Sequence, residues 1–501
     1  MANEDIDPSD EDTNEPMNST SFLKLAMKWK KGMLSLPHPS NLRDLWDSHH
    51  VRMPFSPKNQ YPGPSNELED RWSSIVNALR SEMTSFSDIP KLILSYNKRF
   101  SGYWNFHVLS SVCEQNKEEC LATLRLMSTV ATMLPDLITN PIPLMKKGRD
   151  MSLTFNQFQL CSLLTNAFFC TFPRRNKTGP NSEYDKYPTI NFSNLLSTSR
   201  GESYRSKSRK REKVRCLMAY FAETCQKIAA KQLDSFRLVS FSRHVLKQPP
   251  DWSRSKRPIA ECKLTVSVSG AIEDCGPDTL QVDFANKFLG GGVIGTGCVQ
   301  EEILLCIKPE MIAGRLFVQV LEDNECLLIC GAQRYSNYTG YGDSFKFDGP
   351  VQDHLPTDSW NRLNTHVAVI DALIFHDLAS QVHSRYFTRE LNKAYCAFSA
   401  SLPKVVATGH WGCGAFGGCK EIKAIIQLMA CAQSSKHLAY FTFGDEQFQE
   451  RFLNVYRVLI EADKTVADLR DIVTEFSESL ILVGEEEAEK MSIFDYIVSN
   501  R

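Results

Sequence analysis

From about Asn66 to Phe172 the apolar positions recur at helical spacing. WSSIVNALRSEM (72–83), the stretch from Glu119 to Leu134, and FNQFQLCSLLTNAFF (155–169) each place hydrophobic residues every three or four positions, which predicts helices with one buried stripe. Pro135, Pro141 and Pro143 interrupt the pattern, since proline lacks the N–H an inner helical turn requires. Strand-like alternation is scarce there. A polar stretch follows from Asn176 to Lys213, and beyond about Ser235 the pattern changes. FRLVSFS, CKLTVSVS, LQVDFAN, ECLLIC, HVAVIDALIF, KVVATG and LAYFTFG are short β-branched or aromatic runs, and each predicts a strand. Helical patterns fall between several of them, most clearly Lys420–Gln433, and strands alternating with helices predict a layered α/β/α domain. Helical spacing returns from Asp445 to Ser479. The expected organisation is an acidic disordered tail over 1–44, a helical accessory unit over 45–234, an α/β unit over 235–479, and an acidic mobile end over 480–501.

Composition changes this picture only slightly. With 501 residues and 42% hydrophobic content, the chain can bury a large core distributed over more than one unit. A net charge of −2 argues against a globally basic nucleic-acid coat, although a local patch can still meet a polyanion. The 16 cysteines are scattered without a C-x-x-C pair and follow no apolar leader, so they are expected to be reduced, intracellular and free of structural zinc. The longest apolar stretch, Leu160–Phe172, is too short and too mixed to cross a bilayer. The basic run Tyr204–Arg215, YRSKSRKREKVR, reads as a solvated loop or helix entry, with a nuclear import signal as the minor alternative.

The chemistry concentrates in QVDFANKFLGGGVIGTGCVQEE, Gln281–Glu302. Gly290, Gly291 and Gly292 let a ligand approach backbone N–H groups closely, which suits a phosphate. Gln300, Glu301 and Glu302 precede an apolar run and are expected to form the first turn of a helix, where free N–H groups favour anions. Neighbours on a helix point about 100° apart, so the two glutamates divide their tasks. Glycine turns and electrostatic capping are the ordinary explanations for the same residues. A second glycine-rich segment, ATGHWGCGAFGG (407–418), follows an apolar strand and precedes a helix. Ligands gather at that position in α/β sheets, and successive N–H groups there form an anion nest. Tyr338, Tyr341, Phe416 and Phe443 lie at strand ends or loops, where a nucleobase or ribose could stack; taken singly, each is more often an ordinary packing residue, and only a family resemblance selects them.

VDFANKFLGGGVIGTGCVQEE resembles the signature of the poly(ADP-ribose) glycohydrolases, and the resemblance extends in order through LWDSHHVRMPFSP, NAFFCTFPRRN, PTINFSNLL, YTGYGDSF, RELNKAYCAF, ATGHWGCGAFGG and YFTFGD, from about Leu45 to Asp445. It implies a three-layer α/β/α macrodomain-like mixed sheet with a mainly helical N-terminal accessory domain. It also implies that Glu302 is the catalytic acid, that Glu301 binds ribose hydroxyls and supports catalysis, and that Asp283 belongs to the active site. Ile272 and Glu273 match the segment receiving adenine, while Asn286, Gln300 and the Gly290–Gly292 loop match substrate-binding positions. Tyr341 matches a tyrosine over the ligand and Phe443 a stacking aromatic. His410, Trp411, Gly412, Cys413, Gly414, Ala415 and Phe416 match the second phosphate loop. The chain departs from the family's usual TGNWGCGAFGGD at two places, His410 and Cys419. Imidazole titrates near neutrality, so His410 bears on affinity and pH dependence.

The reaction this implies is hydrolysis of the ribose–ribose O-glycosidic bond of poly(ADP-ribose), with Glu302 protonating the leaving hydroxyl and then activating water. No cofactor or metal is expected. The expected partners are poly(ADP-ribose) and ADP-ribosylated proteins, without direct DNA or membrane binding, for a monomer in the nucleus or cytoplasm. The alternatives are a non-catalytic ADP-ribose reader of the same fold and an enzyme removing single ADP-ribose groups.

Overall fold

The computed structural model describes residues 43–500, except 63–66, 177, 178, 180, 231 and 233–236. Residues 1–42 of the acidic segment, and Phe236 at the head of the first strand candidate, lie outside the described residues. At the centre is an eight-stranded sheet built from β1 Met151–Asn156, β2 Leu238–Val245, β3 Leu264–Ser267, β4 Thr279–Ala285, β5 Glu325–Cys330, β6 His366–Asp371, β7 Val405–Thr408 and β8 His437–Phe441. Its spatial order is β1-β2-β5-β6-β4-β7-β8-β3. The run β6-β4-β7-β8-β3 is parallel, whereas β1, β2, β5 and β6 pair antiparallel. All seven strand candidates fall in this sheet.

Helices cover both faces, and the two-residue period of the strands shows why. On β6, Val367 and Val369 face one core while Ala368 and Ile370 face the other. The first core is completed by α1 Gln157–Phe168, α2 Tyr204–Ala229, α3 Gln300–Ile307 and the N-terminal helices Arg71–Arg80 and Lys117–Thr132. The second is completed by α4 Ser384–Ala400, α5 Lys420–Gln433, α6 Glu446–Glu461, α7 Val466–Val483 and α8 Ile493–Ser499. This is a three-layer arrangement around a mixed sheet.

Four features differ from the expectations. MSLTFN (151–156), in the stretch read as helical, is an edge strand paired with β2, and its Ser152 and Thr154 hydroxyls meet those of Ser242 and Ser240 at 2.8 Å each. It ends abruptly because Asn156 caps α1, accepting the Gln159 N–H at 2.7 Å while the Gln159 side chain accepts the Asn156 N–H at 3.0 Å, a reciprocal capping box. The basic run lies within the 26-residue α2, with Ser206, Lys210, Lys213 and Leu217 on its buried face. The segment after residue 480, read as a mobile end, contains α8, whose Ile493, Phe494 and Ile497 are buried. Its Phe494 ring stacks on Phe452 of α6 at 5.5 Å, so its apolar spacing outweighs the acidic run before it. Finally, Cys113 and Cys120 are joined by a disulfide, with Cα atoms 5.5 Å apart, where reduced thiols were expected throughout. It ties the helix His107–Cys113 to the helix Lys117–Thr132.

Candidate active site

Strand β4 runs from the centre of the sheet into the glycine loop, and α3 returns from that loop directly against the strand end. The Gln300 side chain makes the junction, accepting the Phe284 N–H at 2.8 Å and donating to the Val282 carbonyl at 3.2 Å. The first turn of α3 therefore sits over Asp283, and both glutamates that follow Gln300 are buried. A helix start tolerates such carboxylates because its unpaired N–H groups carry partial positive charge.

The glycine N–H groups have a different task from the one expected. Glu301 accepts the N–H of Gly290 at 2.5 Å and that of Asn286 at 2.9 Å. Glu302 accepts the N–H of Gly292 at 2.8 Å and reaches back to that of Val299 at 2.8 Å, while the Gly291 N–H bonds the Phe288 carbonyl at 3.0 Å. The N–H groups of Gly290 and Gly292 thus orient the two acids, and that of Gly291 closes a turn within the loop, so none of the three stands open for a phosphate. Close approach demands glycine here: a Cβ on Gly291, whose φ is +41°, would stand 2.7 Å from Glu302 Oε1 and 2.8 Å from Glu301 Oε2.

Asp283 is the third carboxyl of the cluster. It is fully buried, and among the described residues neither of its oxygens has a hydrogen-bond partner. Burial, reinforced by the Glu302 charge, pushes its carboxyl well above the usual range. Burial also pushes Glu301 up, with Asp283 and Glu302 adding to the effect and the Asn286 and Gly290 N–H groups opposing it. Both Asp283 and Glu301 are therefore biased toward their protonated forms.

The opposite side of the loop is held by cations that sequence reasoning missed. Lys213 of α2 donates to the carbonyls of Gly292, Val293, Gly295 and Gly297 at 3.1, 2.9, 2.8 and 2.6 Å. Arg315 donates to the Leu289 carbonyl at 2.5 Å and that of Thr189 at 2.8 Å, and burial lowers its guanidinium to about 10 against the opposing pull of Glu301. Arg175 in turn holds the carbonyls of Arg315 and Leu316 at 2.8 and 3.0 Å. The available signal was spacing: Lys210 and Lys213 fall in helical register with Ser206 and Leu217.

At the neighbouring strand end, β7 leads into the second loop. Among the described residues the N–H groups of Gly414, Ala415 and Phe416 have no acceptor in the protein, an open row of donors of the kind a diphosphate takes. Gly412, at φ +75°, lets the loop turn against Ala372 and Lys423. Two aromatic rings lie unusually open beside these loops, Tyr341 at 56% exposure and Phe443 at 51%. The turn after Tyr341 is pinned to the first loop by the Gly342 N–H on the Cys298 carbonyl at 3.1 Å.

Residues 113–243 match the helical domain of poly(ADP-ribose) glycohydrolase, and residues 249–450 match its macro domain fold. The chain is 32% identical over 394 residues to poly(ADP-ribose) glycohydrolase 1 of Arabidopsis thaliana, covering 63% of this chain and 68% of the relative. It is 30% identical over 369 residues to the probable poly(ADP-ribose) glycohydrolase 2 of the same plant, covering 64% and 68%. Poly(ADP-ribose) glycohydrolase 1 of Caenorhabditis elegans is 29% identical over 379 residues, covering 72% of this chain and 44% of the relative. The chain belongs to the poly(ADP-ribose) glycohydrolase family.

Membership makes it a hydrolase of the glycosidase type with the family's macro domain fold. Asp283, Asn286, Gly290–Gly292, Gln300, Glu301 and Glu302 gather around one loop and helix start. Several others are placed differently from the expectation. The Trp411 side chain is wholly buried, donating to the Ile370 carbonyl at 3.0 Å beneath the Lys423 ammonium at 4.2 Å, and the Ile272 side chain is buried too. Only the backbone of either could face a ligand. The Glu273 carboxylate accepts the Tyr338 hydroxyl. The Cys413 thiol is pushed up by burial.

His410, one of the two departures from the glycohydrolase pattern, turns inward. Its Nδ1 lies 3.1 Å from the Tyr440 hydroxyl and its Nε2 lies 3.2 Å from the Thr442 carbonyl. A carbonyl only accepts, so the proton sits on Nε2 and the hydroxyl donates to Nδ1. Burial, then the Lys420 charge, lowers the imidazole to about 4, so it is neutral where titration had been expected. Cys419, the other departure, is the N-cap of α5 without a side-chain cap, and its N–H is taken by Gln381 at 2.6 Å.

Proposed function

We propose that this chain hydrolyses the ribose–ribose O-glycosidic bonds of poly(ADP-ribose), with Glu302 as general acid and base. The observation carrying this reading is the arrangement of Glu302 at the first turn of α3. It is buried beside Asp283 and Glu301 and aimed by the N–H groups of Gly292 and Val299. Glu302 gives its proton to the leaving ribose oxygen as the anomeric C–O bond breaks and positive charge develops on the sugar. A water then adds to that carbon and returns a proton to Glu302, which restores the acid.

The neighbouring residues support the roles assigned here. Glu301 is locked to Gly290 and Asn286, so it serves as a fixed acceptor for a ribose hydroxyl. Asp283, pushed upward by burial and the Glu302 charge, favours its protonated form beside the two glutamates and so limits the negative charge of the cluster. The open N–H groups of Gly414, Ala415 and Phe416 take the diphosphate, and Tyr341 and Phe443 offer ring faces to the sugar and base.

The test is release of ADP-ribose from poly(ADP-ribose) by the protein and by Glu302→Gln, followed by chromatography. Loss of a main acid is expected to lower turnover by roughly 10²–10⁴-fold, with ADP-ribose affinity largely kept. Turnover near the wild-type rate in Glu302→Gln would overturn the assignment. A wild-type protein that binds polymer without cleaving it would be a reader instead, and one that releases only the protein-linked unit would act on single groups.

A further inference from the structure

Lys213 is fully buried, and among the described residues it has no carboxylate within ion-pairing distance. Its neighbours on α2 are paired elsewhere: Lys210 with Glu202, and Arg215 with Glu212. An ammonium withdrawn from water without a counter-charge is costly unless dipoles replace its hydration. Here four carbonyls of one loop do so, one more acceptor than the group has protons.

The same loop residues face Glu302. Gly292 offers its carbonyl to Lys213 and its N–H to Glu302 Oε1. Gly297 offers its carbonyl to Lys213, and a Cβ on it would lie 2.5 Å from Glu302 Oε1. Cation, loop and carboxylate therefore form three layers in contact, and the cation comes from the helical half of the chain while the acid comes from the macro domain fold.

We infer that Lys213 is a positioning residue of the active site: it clamps the Gly292–Gly297 loop by its carbonyls so that the Gly292 N–H aims the Glu302 carboxylate and Gly297 stays packed against it. This inference rests on the reading of Glu302 as acid and base. Among the described residues, the titratable or charged groups that act most on the ammonium are Cys306, Cys298 and Glu302 from the macro domain side and Lys210 from its own helix. Glu302, reached through the loop, is the carboxylate of that set. Arginine would keep the charge in a wider, planar head, whereas glutamine would keep two donors and remove the charge.

The experiment compares wild type, Lys213→Gln, Lys213→Met and Lys213→Arg, with Glu302→Gln as control. It measures kcat and KM on poly(ADP-ribose) against pH, ADP-ribose affinity by calorimetry, and the thermal midpoint. A misaimed acid is expected to lower kcat by about 10²-fold in Lys213→Gln, with ADP-ribose affinity changed by less than about threefold and partial recovery in Lys213→Arg. The kcat profile is also expected to move to higher pH, because loss of a cation favours protonated carboxyls. Lys213→Gln guards against a Met variant that does not fold. Folded Lys213→Gln with wild-type kcat and pH profile would overturn the proposal, as would equal losses in kcat and ADP-ribose affinity. Failure of the Glu302 reading would show separately, as turnover surviving in Glu302→Gln.

Discussion

Gly297 has no left-handed φ to require glycine; what it supplies is empty space beside Glu302. A methyl there would stand 2.5 Å from Oε1 and 2.7 Å from the carboxyl carbon, so Gly297→Ala must move the acid. Displacements near 1 Å cost about 10²-fold in rate, and that loss in kcat is expected with ADP-ribose affinity nearly unchanged; wild-type kcat would show that the carboxylate tolerates the shift. Much of the site was legible at this scale. Gln300–Glu302 stood out because two acids at a helix start are chemically conspicuous. The bonding of the glycines was not legible, since sequence gives their freedom and not which partner their N–H groups choose. His410 shows the same limit: its residue type suggested titration near neutrality, while its burial among Tyr440, Phe443 and Phe448 settles the neutral form.

The elements meet through polar groups as well as apolar faces. Glu310, just after α3, is fully buried and accepts the Gln333 N–H and the Tyr335 hydroxyl at 2.8 Å each, while Gln157 of α1 donates to the same hydroxyl at 3.1 Å. Burial raises its carboxyl to about 7, against those hydrogen bonds. A raised carboxyl means the folded chain binds more protons between the unfolded value of 4.5 and about 7. Stability from this group is therefore lost as pH climbs through that window, by about 3 kcal/mol in full. Urea unfolding at pH 5 and pH 8 is expected to show a smaller loss on going to pH 8 in Glu310→Gln than in wild type; identical losses would sink the idea. Comparing the two proteins matters because Asp283 and Glu301 shift in the same direction and His410 in the opposite one. The seven strands read from sequence were legible because strands buried on both faces are nearly continuous apolar runs. MSLTFN was not, because it is short and passes without a break into the pattern of α1. Lys210 and Lys213 hid in α2 because a basic run reads as solvated, whatever face its members occupy.

Over the whole molecule the helical half is part of the sheet's architecture. It contributes β1 at one edge and the helices covering Val239, Phe241, Leu327 and Ile329. A fragment spanning 235–501 would open the β2 edge to other chains and lose Lys213 from the glycine loop. It is expected to be aggregation-prone and inactive on poly(ADP-ribose), as gel filtration and ADP-ribose release would measure, and a soluble, active fragment would refute this. The other end of the chain matters in a different way. Phe494 of α8 stacks on Phe452 and also contacts Phe448, whose ring stands 5.1 Å from His410 in the second loop. The last seven-residue helix is thus two ring contacts from His410 at the head of the second loop. An alternative stop or a protease cut after residue 479 would leave every signature motif intact and still remove the ring that backs Phe448 and, through it, His410, so damage at this end is expected to register as a loosened second loop in a protein whose Asp283, Glu301 and Glu302 are all present.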